Sequence, residues 1–239
     1  MVGRTNVSRN GVSVVSNLVN VTVHGAAIET VTLSDGQQVI TDGNGVATAR
    51  VTIGESYTLT GSVSGYTSKI QTVDENTTDL YAMPDGALFW YGVDLVPFTY
   101  KVYDTSYNSY GGTQMYAKST HSYDFVQPSK TPAYIDLVTE NSIDVSTYSV
   151  FKVKYSMTSA LAGNSKTWGF NLYIDRNDTG GNNEGSTIHD RTAAVNVEHG
   201  VASHTLLYND PCQIAVYSTF AWSAYNPVCN ASLHALWLE

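Results

Sequence analysis

The chain of 239 residues is short of charge, and of positive charge above all. Only 14% of its residues are charged, and 12 Lys and Arg stand against 21 Asp and Glu, which gives a net charge of −9. A nucleic-acid groove needs an excess of positive charge, so the sequence predicts no nucleic-acid partner. The same deficit disfavours an anionic membrane surface, and no apolar run is long enough to span a bilayer, so no membrane insertion is expected.

Cysteine is also scarce, with Cys212 and Cys229 as the two examples. Two cysteines in a chain of this length do not make a disulfide scaffold, so the fold must rest on an apolar core. The two residues are either bonded or free. We favour two buried thiols, because a free cysteine behaves as a small apolar residue.

A signal peptide is missing from the sequence, since residues 1–11 contain neither an apolar run nor a cleavage site. The composition is nevertheless typical of an all-β, turn-rich protein that works outside cells, with 17 Tyr and 19 Gly among many Thr, Ser and Asn. Either an export signal is absent from this sequence, or the protein leaves its cell by another route, as parts of a virus do when the host lyses.

Catalytic motifs are absent as well. In residues 61–65 two glycines have the spacing of a nucleophile elbow, but Val63 stands where the serine is needed. No glycine-rich phosphate loop occurs. We therefore expect no enzymatic activity and no cofactor. A glycosidase is the alternative, because its two carboxylates meet only in the fold.

Two stretches match metal sites only in part. Asp175–Gly180 starts like a calcium loop, but Ser186 occupies the position where a bidentate Glu is needed, so we predict a solvated hairpin loop. His189, His199 and His204 do not have the spacing of a zinc site. The sequence therefore predicts no metal site.

The most regular part of the chain lies between Thr32 and Tyr66, where short β-type runs alternate with turn residues. Gly36, Gly43 and Gly45 follow Asp or Asn, and such pairs supply the positive φ angles of tight hairpins. From residue 46 to residue 51 the chain alternates Val, Thr and Arg with Ala, Ala and Val, which predicts a strand with two unlike faces. The stretch indicates a small antiparallel β-sandwich.

This stretch resembles the carboxypeptidase-regulatory-like and bacterial Ig-like modules of surface proteins and bacteriophage structural proteins. The resemblance covers about residues 17–86, where a T-D-x-N-G-x-A turn precedes a strand and a later Gly-Tyr pair follows. The matching residues are Thr41, Asp42, Asn44, Gly45, Ala47, Gly54, Tyr57, Gly65 and Tyr66. It implies an Ig-like or transthyretin-like sandwich, but no single function, because such modules serve as spacers, adhesins and appendage domains.

A second domain is expected from residue 87 onward, where the aromatic content rises after the turn at residues 84–86. The alternation at residues 151–155 and 167–174 predicts two-faced strands, and about ten strands without a helix indicate a jelly-roll-type β-sandwich. The expected parts are an N-terminal arm at 1–16, an Ig-like sandwich at 17–86 and a larger jelly-roll-type sandwich at 87–239. Candidate strands include Leu18–Val23, Ile28–Leu33, Tyr57–Val63, Thr67–Val73, Tyr123–Val126, Ala133–Leu137, Thr192–Val197, His204–Tyr208 and Gln213–Phe220.

The N-terminal arm is a candidate interaction site because Val12, Val14 and Val15 give it an apolar, β-type patch. It is either a frayed tail or an arm that docks on an assembly or adds a strand to a neighbour.

A second candidate site is the loop that contains Tyr107, Asn108 and Tyr110. Tyrosine offers a flat apolar ring with a polar end, which suits stacking on sugars, and Asn108 can supply a hydrogen bond. The alternative is that the tyrosines from Tyr100 to Tyr116 pack across strands inside the sandwich.

These observations favour an all-β, non-enzymatic structural protein of a bacteriophage virion, displayed on the capsid or tail as a decoration, head-fibre or tail-appendage protein. Its expected partners are other virion proteins, copies of itself and glycans of host or environmental surfaces. The alternative is a carbohydrate-binding module of a secreted or cell-surface bacterial protein or hydrolase.

Overall fold

The computed structural model describes residues 6–9, 12–15, 17–104, 116–126, 133–159, 170–177, 184–190, 198–207, 209–220 and 229–239. The chain divides into two compact units. The N-terminal unit comprises Met1–Asp85 with Tyr91–Val93, and the C-terminal unit comprises Gly86–Trp90 with Asp94–Glu239.

The described part of the chain contains β-strands and no helix, which confirms the predicted all-β fold. The first ten strands are β1 (Asn6–Arg9), β2 (Val12–Val15), β3 (Leu18–His24), β4 (Thr30–Leu33), β5 (Gln38–Ile40), β6 (Val46–Thr52), β7 (Ser56–Tyr57), β8 (Leu59–Gly61), β9 (Gln71–Thr72) and β10 (Asp79–Tyr81). The others are β11 (Gly86–Trp90), β12 (Val93–Asp94), β13 (Phe98–Asp104), β14 (Tyr116–Lys118), β15 (Tyr123–Val126), β16 (Ala133–Thr139), β17 (Val150–Ser159), β18 (Phe170–Asn177), β19 (Glu184–Asp190), β20 (Glu198–Thr205), β21 (Gln213–Phe220) and β22 (Cys229–Leu238). Within the described ranges there is accordingly no helix that could cross a membrane.

The N-terminal unit contains two three-stranded sheets, ordered β10-β3-β6 and β5-β4-β8, and a short β7-β9 ribbon. Valines and leucines from both sheets form one buried core, which includes Val21, Val23, Val31, Leu33 and Leu59. The predicted alternation of β6 is confirmed, because Ala49 and Val51 are buried while Thr48 and Arg50 are exposed. The strands are two-faced because each sheet packs one face on this core.

The turns of this unit use glycine as predicted at two of three positions. Gly36 and Gly45 have φ angles of 92° and 76°, whereas Gly43 does not have a positive φ. The prediction for Gly43 was wrong because the Asp42 side chain organises this turn. It accepts hydrogen bonds from the backbone N–H groups of Val46 and Asn44, and these bonds lower the pKa of Asp42.

Three predicted strands are shorter than expected. The strand predicted at Ile28–Leu33 begins at Thr30, because Ile28 has a left-handed φ of 50°. The one predicted at Tyr57–Val63 is divided between β7 and β8, which pair with different strands. Of Thr67–Val73 only β9 remains, because the Ser68 hydroxyl accepts the Leu59 N–H that a neighbouring strand would otherwise bond.

A buried carboxylate lies beside the start of β4. Glu29 is 1% exposed, and its Oε1 accepts the N–H of Ala26 while its Oε2 accepts those of Val63 and Ser64 at 3.2 and 3.4 Å. A Cβ atom on Gly61 would collide with Oε2. The carboxylate thus satisfies backbone donors of two loops that have no strand partner there, as a buried polar group must.

The C-terminal unit contains a seven-stranded and a five-stranded sheet. In the first, β22 pairs with β17 on one side and with β11 and β15 on the other, and β12, β14 and β20 complete the sheet. The second has the order β13-β16-β21-β18-β19. Their facing side chains form one core, with Phe89, Phe151 and Leu236 from the first sheet and Leu137 and Val216 from the second. The two-layer sandwich is the architecture that the sequence predicts.

Several strands of this unit have the predicted bounds or pattern. β15 and β21 coincide with the prediction, and in β17 the residues Phe151, Val153 and Tyr155 are buried while the lysines between them are half-buried. The hairpin loop predicted at Asp175–Gly180 begins too early, because Asp175, Arg176 and Asn177 belong to β18, which pairs antiparallel with β19. Residues 178–183 of that loop lie outside the described residues.

The strand predicted at His204–Tyr208 is instead β20, which ends at Thr205. The prediction did not include the first part of β20, because this strand contains few apolar residues and its Val201 is exposed. Thr192–Val197, a further predicted strand, lies outside the described residues. Cys212 is buried, as expected, and its bonding state stays a prediction.

The N-terminal arm contains a hairpin in which β1 pairs with β2, and these strands form a two-stranded sheet of their own. In this register Val7 lies opposite Val14, and Arg9 lies opposite Val12. Alternation puts these two pairs on one face of the hairpin, while Val15 lies on the other.

Glu29→Ala is expected to destabilise the N-terminal unit by at least ~2 kcal/mol, because it leaves the buried backbone donors of Ala26 and Ser64 without an acceptor at roughly 1–3 kcal/mol each. In calorimetry of the full chain, this loss of stability is expected to appear as a lower unfolding temperature. The exposed Glu55 provides the control, since Glu55→Ala is expected to change the unfolding temperature little. Equal effects of the two substitutions would contradict the role given to Glu29.

Candidate functional site

The candidate site is a face of the five-stranded sheet in the C-terminal unit. Leu137 and Val216 lie opposite each other in β16 and β21, and both are 0% exposed within the core. Because successive residues of a strand alternate between faces, Asp136 and Tyr217 share the opposite face. The buried core thus fixes which residues are on the other side of the sheet.

The register aligns residues from all five strands in two neighbouring rows on this face. One row runs Lys101, Asp136, Tyr217, Tyr173, Thr187, and the next runs Tyr103, Tyr134, Thr219, Asn171, Asp190. We call these two rows the tyrosine face. Four of its ten positions are tyrosine, and the other six residues have hydrogen-bonding groups.

The extent of the tyrosine face follows from sheet geometry. Neighbouring strands lie ~4.7–4.9 Å apart, so a row across five strands spans roughly 19 Å. In the adjoining row, Val138 and Ala215 are 3% and 6% exposed and therefore buried. The candidate site is therefore defined by backbone register and comprises the two rows named above.

This combination of residues suits a ligand with both apolar patches and many hydroxyl groups. Tyrosine rings provide flat apolar surfaces with a polar end. Carboxylate, amide and hydroxyl groups provide hydrogen-bond acceptors and donors. The register between β18 and β19 shifts between Leu172 and Tyr173, which lies between the two rows. A site on strands also holds its groups more precisely than a site on loops.

The sites predicted from sequence relate to this face in different ways. Tyr107, Asn108 and Tyr110 lie outside the described residues, so their role stays a prediction. Of the same tyrosine run, Tyr103 belongs to the tyrosine face, whereas Tyr100 is in register with the buried Leu137.

The sites predicted from the sequence do not include Tyr134, Tyr173 and Tyr217, although each of these residues lies in or next to a predicted strand. In each strand the neighbouring residues are apolar, as Ile135 is beside Tyr134 and Val216 beside Tyr217. That alternation could have placed each tyrosine opposite the core. It could not have shown that the tyrosines belong to neighbouring strands, because the strand order follows from pairing between distant segments.

A second polar cluster, which we call the serine–histidine cluster, lies on the seven-stranded sheet. The Ser156 hydroxyl is 2.7 Å from His234 Nε2, while the Ser122 and Ser232 hydroxyls donate to Asp124 Oδ1 at 2.7 and 2.6 Å. Asp124, Ser232 and Ser156 occupy one row across three strands. Its groups bond to one another, so we assign this cluster to the structure of the sheet.

Burial lowers the pKa of His234. A hydrogen bond with the backbone of His121 and the charge of Asp124 act in the opposite direction, while Lys154 and the His121 ring add to the lowering. The balance favours the neutral imidazole in the folded protein.

Within the described residues, no group of three or more His, Cys, Asp or Glu side chains is arranged to hold a metal ion. The serine–histidine cluster is no exception. Its interactions are hydrogen bonds among hydroxyls, an imidazole and a carboxylate.

Comparison with known proteins finds no matching family model and no matching curated protein. Among solved structures, the chain is similar to the N-terminal cellulose-binding domain of Cellulomonas fimi β-1,4-glucanase C, with 16% identity and a TM-score of 0.36 over 59% of this chain and 88% of that domain. It is also similar to TmCBM61, solved with β-1,4-galactotriose, with 12% identity and a TM-score of 0.33 over 66% of this chain and 96% of that one.

A third similar structure is the enzymatically active domain of tailspike protein 4 of bacteriophage CBA120, with 13% identity and a TM-score of 0.36. The match covers 59% of this chain and 19% of the tailspike chain. At these identities and TM-scores, none of the three likenesses carries an argument about what this chain does.

The lowered pKa of His234 predicts that acid destabilises the C-terminal unit. Below about pH 6.5 the unfolded chain takes up a proton at this histidine while the folded chain does not, so stability falls as the pH falls through this window. Thermal unfolding at several values between about pH 5 and pH 8 measures the slope. His234→Gln is expected to flatten it, whereas His24→Gln in the other unit keeps the C-terminal slope. An unchanged slope in His234→Gln would show that another group is responsible.

Proposed function

We propose that this protein binds carbohydrate without catalysing a reaction, and that the tyrosine face is its binding surface. The observation that carries the proposal is the register, which brings Tyr134, Tyr173 and Tyr217 from distant parts of the chain onto one face of one sheet. Asp136 and Asn171 stand among them. Tyrosines and hydrogen-bonding groups on one face suit a carbohydrate ligand.

Sugars match such a surface because one side of a pyranose ring is largely C–H and its rim is hydroxyl. Tyrosine rings stack on the C–H side of the sugar, and polar side chains form hydrogen bonds with its hydroxyl groups. A contact of this kind is weak, on the order of millimolar or about 4 kcal/mol per site. Adhesion would then depend on many copies acting together, which raises avidity without new contacts.

Display on a bacteriophage particle is our proposal for where this binding takes place. It is supported by a composition typical of proteins that work outside cells and by the resemblance of residues 17–86 to modules of surface and phage structural proteins. The alternative location is a secreted or cell-surface bacterial protein or hydrolase, in which the same face would serve as a carbohydrate-binding module. Mass spectrometry of purified particles and of culture medium from the source distinguishes the two.

Assembly is a second proposed role, and it rests on the N-terminal hairpin. An isolated two-stranded hairpin is marginally stable in water, and β1 and β2 make a sheet of their own. By register, Val7, Val12 and Val14 share one face of the hairpin with Arg9. Val15, also predicted to act in assembly, lies on the other face. Docking of this hairpin on a copy of itself or on another virion protein would cover these residues.

The test of binding removes two neighbouring tyrosines of the tyrosine face. Tyr173→Ala with Tyr217→Ala is expected to weaken binding to soluble glycans about tenfold or more, because each lost ring removes roughly 1 kcal/mol of stacking. Affinity electrophoresis against a set of neutral polysaccharides measures the loss, and circular dichroism checks that the fold persists.

Two matched variants complete the test. Tyr81, which is 43% exposed in the N-terminal unit, provides the control, and Tyr81→Ala should leave binding unchanged. Tyr107→Ala with Tyr110→Ala tests the loop predicted from sequence. Full binding by the Tyr173 and Tyr217 variant, with loss in the loop variant, would move the site from the face to the loop.

Deletion of residues 1–16 tests the assembly role. The shortened chain is expected to keep its unfolding temperature and to lose self-association or attachment to particles, because β1 and β2 form a two-stranded sheet of their own. Analytical ultracentrifugation and particle co-sedimentation measure the two properties. Normal assembly of the shortened chain would leave the hairpin as a tail.

A further inference from the structure

Two glutamine side chains lie at the edges of the β10-β3-β6 sheet of the N-terminal unit. The Gln37 amide donates to the backbone carbonyl of Arg50 in β6 at 2.9 Å and accepts the N–H of the same residue at 3.1 Å. Gln71 makes the same pair of bonds with Tyr81 in β10, both at 2.9 Å. A side-chain amide contains both a donor and an acceptor, so each glutamine takes the place of a residue in a neighbouring strand.

Both pairs of bonds lie on the outer side of their edge strand. In β6 the N–H of Ile53 donates to the residue before β3, so alternation along the strand turns the N–H and C=O of Arg50 away from β3. In β10 the N–H of Ala82 donates to the last residue of β3, so the same groups of Tyr81 also point away. Outward backbone groups of an edge strand are a template for pairing with another chain. The two glutamines occupy these groups.

Side chains occupy two further backbone donors of edge strands in this unit. The Tyr57 hydroxyl accepts the N–H of Thr52 in β6, and the Ser68 hydroxyl accepts the N–H of Leu59 in β8, both at 3.0 Å. The hairpin of the N-terminal arm differs, because within the described ranges β1 and β2 pair only with each other. Each strand of the hairpin therefore keeps an outer edge without a neighbouring strand.

We propose that Gln37 and Gln71 direct the association of this chain to the N-terminal hairpin, because they close β6 and β10 against strand addition. This inference rests on the proposed assembly role. The partner that the two glutamines exclude is the matching edge of a second copy. Arg50 and Tyr81 are exposed, so an edge without its glutamine is accessible to such a partner.

The core of the unit does not depend on the two amides. Its buried members are apolar residues of both sheets, together with the ring of Tyr57. Gln37→Met and Gln71→Met keep the length of the side chain and remove its hydrogen-bonding groups. These substitutions are therefore expected to change association more than stability.

Hydrogen exchange tests the closure directly. Gln71→Met is expected to speed exchange of the Tyr81 N–H about tenfold or more at low protein concentration, because this N–H loses its acceptor. The N–H of Ala82, which bonds to β3, is expected to keep its rate. Gln37→Met is expected to act in the same way on the N–H of Arg50. NMR of the full chain measures each amide separately.

Sedimentation velocity tests what the closure does. The full chain with both Gln37→Met and Gln71→Met is expected to associate at about tenfold lower concentration than the parent, because both edges then offer unpaired groups to a second copy. The matched control is Gln38→Met, since the Gln38 amide bonds to the Thr32 hydroxyl and, within the described ranges, to no backbone group. A pair of alanine variants, Gln37→Ala with Gln71→Ala, separates opened edges from the effect of a new apolar side chain.

Deletion of residues 1–16 separates the two routes of association. In the double methionine variant, association through the opened edges is expected to persist after the deletion, whereas the same deletion abolishes association of the parent. Unfolding temperatures check that each variant is folded, and the single variants answer the question if the double variant is not.

The outcomes distinguish this inference from the assembly role. If exchange at Arg50 and Tyr81 stays slow in the variants, or if they associate no more than Gln38→Met does, the inference fails while the assembly role of the hairpin still stands. Association of the methionine pair without association of the alanine pair would also overturn it, because the apolar side chains would then be the cause. If the parent assembles normally without residues 1–16, the assembly role and the inference fail together.

Discussion

The pleat of the β-strand is the constraint on which the C-terminal unit depends, because it offers each side chain only two faces. The buried pair Leu137 and Val216 fixes the register between β16 and β21. A slip by one residue would exchange the two faces and expose the apolar set, so the core strongly specifies this register. The composition of the tyrosine face is therefore a consequence of core packing as much as of any demand of binding.

The strands could be predicted where their sequences are apolar and regular. β15 and β21 agree with the prediction to the residue, and β17 shows the predicted alternation. The prediction failed where a polar side chain replaces a backbone partner, as Ser68 does in the N-terminal unit. It also failed at β20, where an edge strand has few apolar residues. Whether a side chain takes the place of a backbone hydrogen-bond partner depends on contacts between distant segments. The local periodicity of the sequence does not reveal such contacts.

The candidate site was harder to predict than the fold for the same physical reason. Tyr103, Tyr134 and Tyr217 are separated by up to about half of the chain, and only strand pairing brings them onto one face. The sequence offered a local cluster at Tyr107 and Tyr110 instead, because clustering along the chain is visible without a fold. Alternation could place each tyrosine on the side of its strand away from the core. The strand order β13-β16-β21-β18 was needed to place them together.

The two units place their buried polar groups under different constraints. In the N-terminal unit, Glu29 accepts backbone donors from two loops, and glycine at position 61 leaves the space that its carboxylate occupies. In the C-terminal unit, the polar groups of the serine–histidine cluster lie on a sheet whose backbone hydrogen bonds are already made by its strands. Loss of Glu29 would break the organisation of loops, whereas loss of a hydroxyl group of the cluster would alter hydrogen bonds between side chains. A binding surface on the second kind of scaffold can change its side chains without changing its backbone.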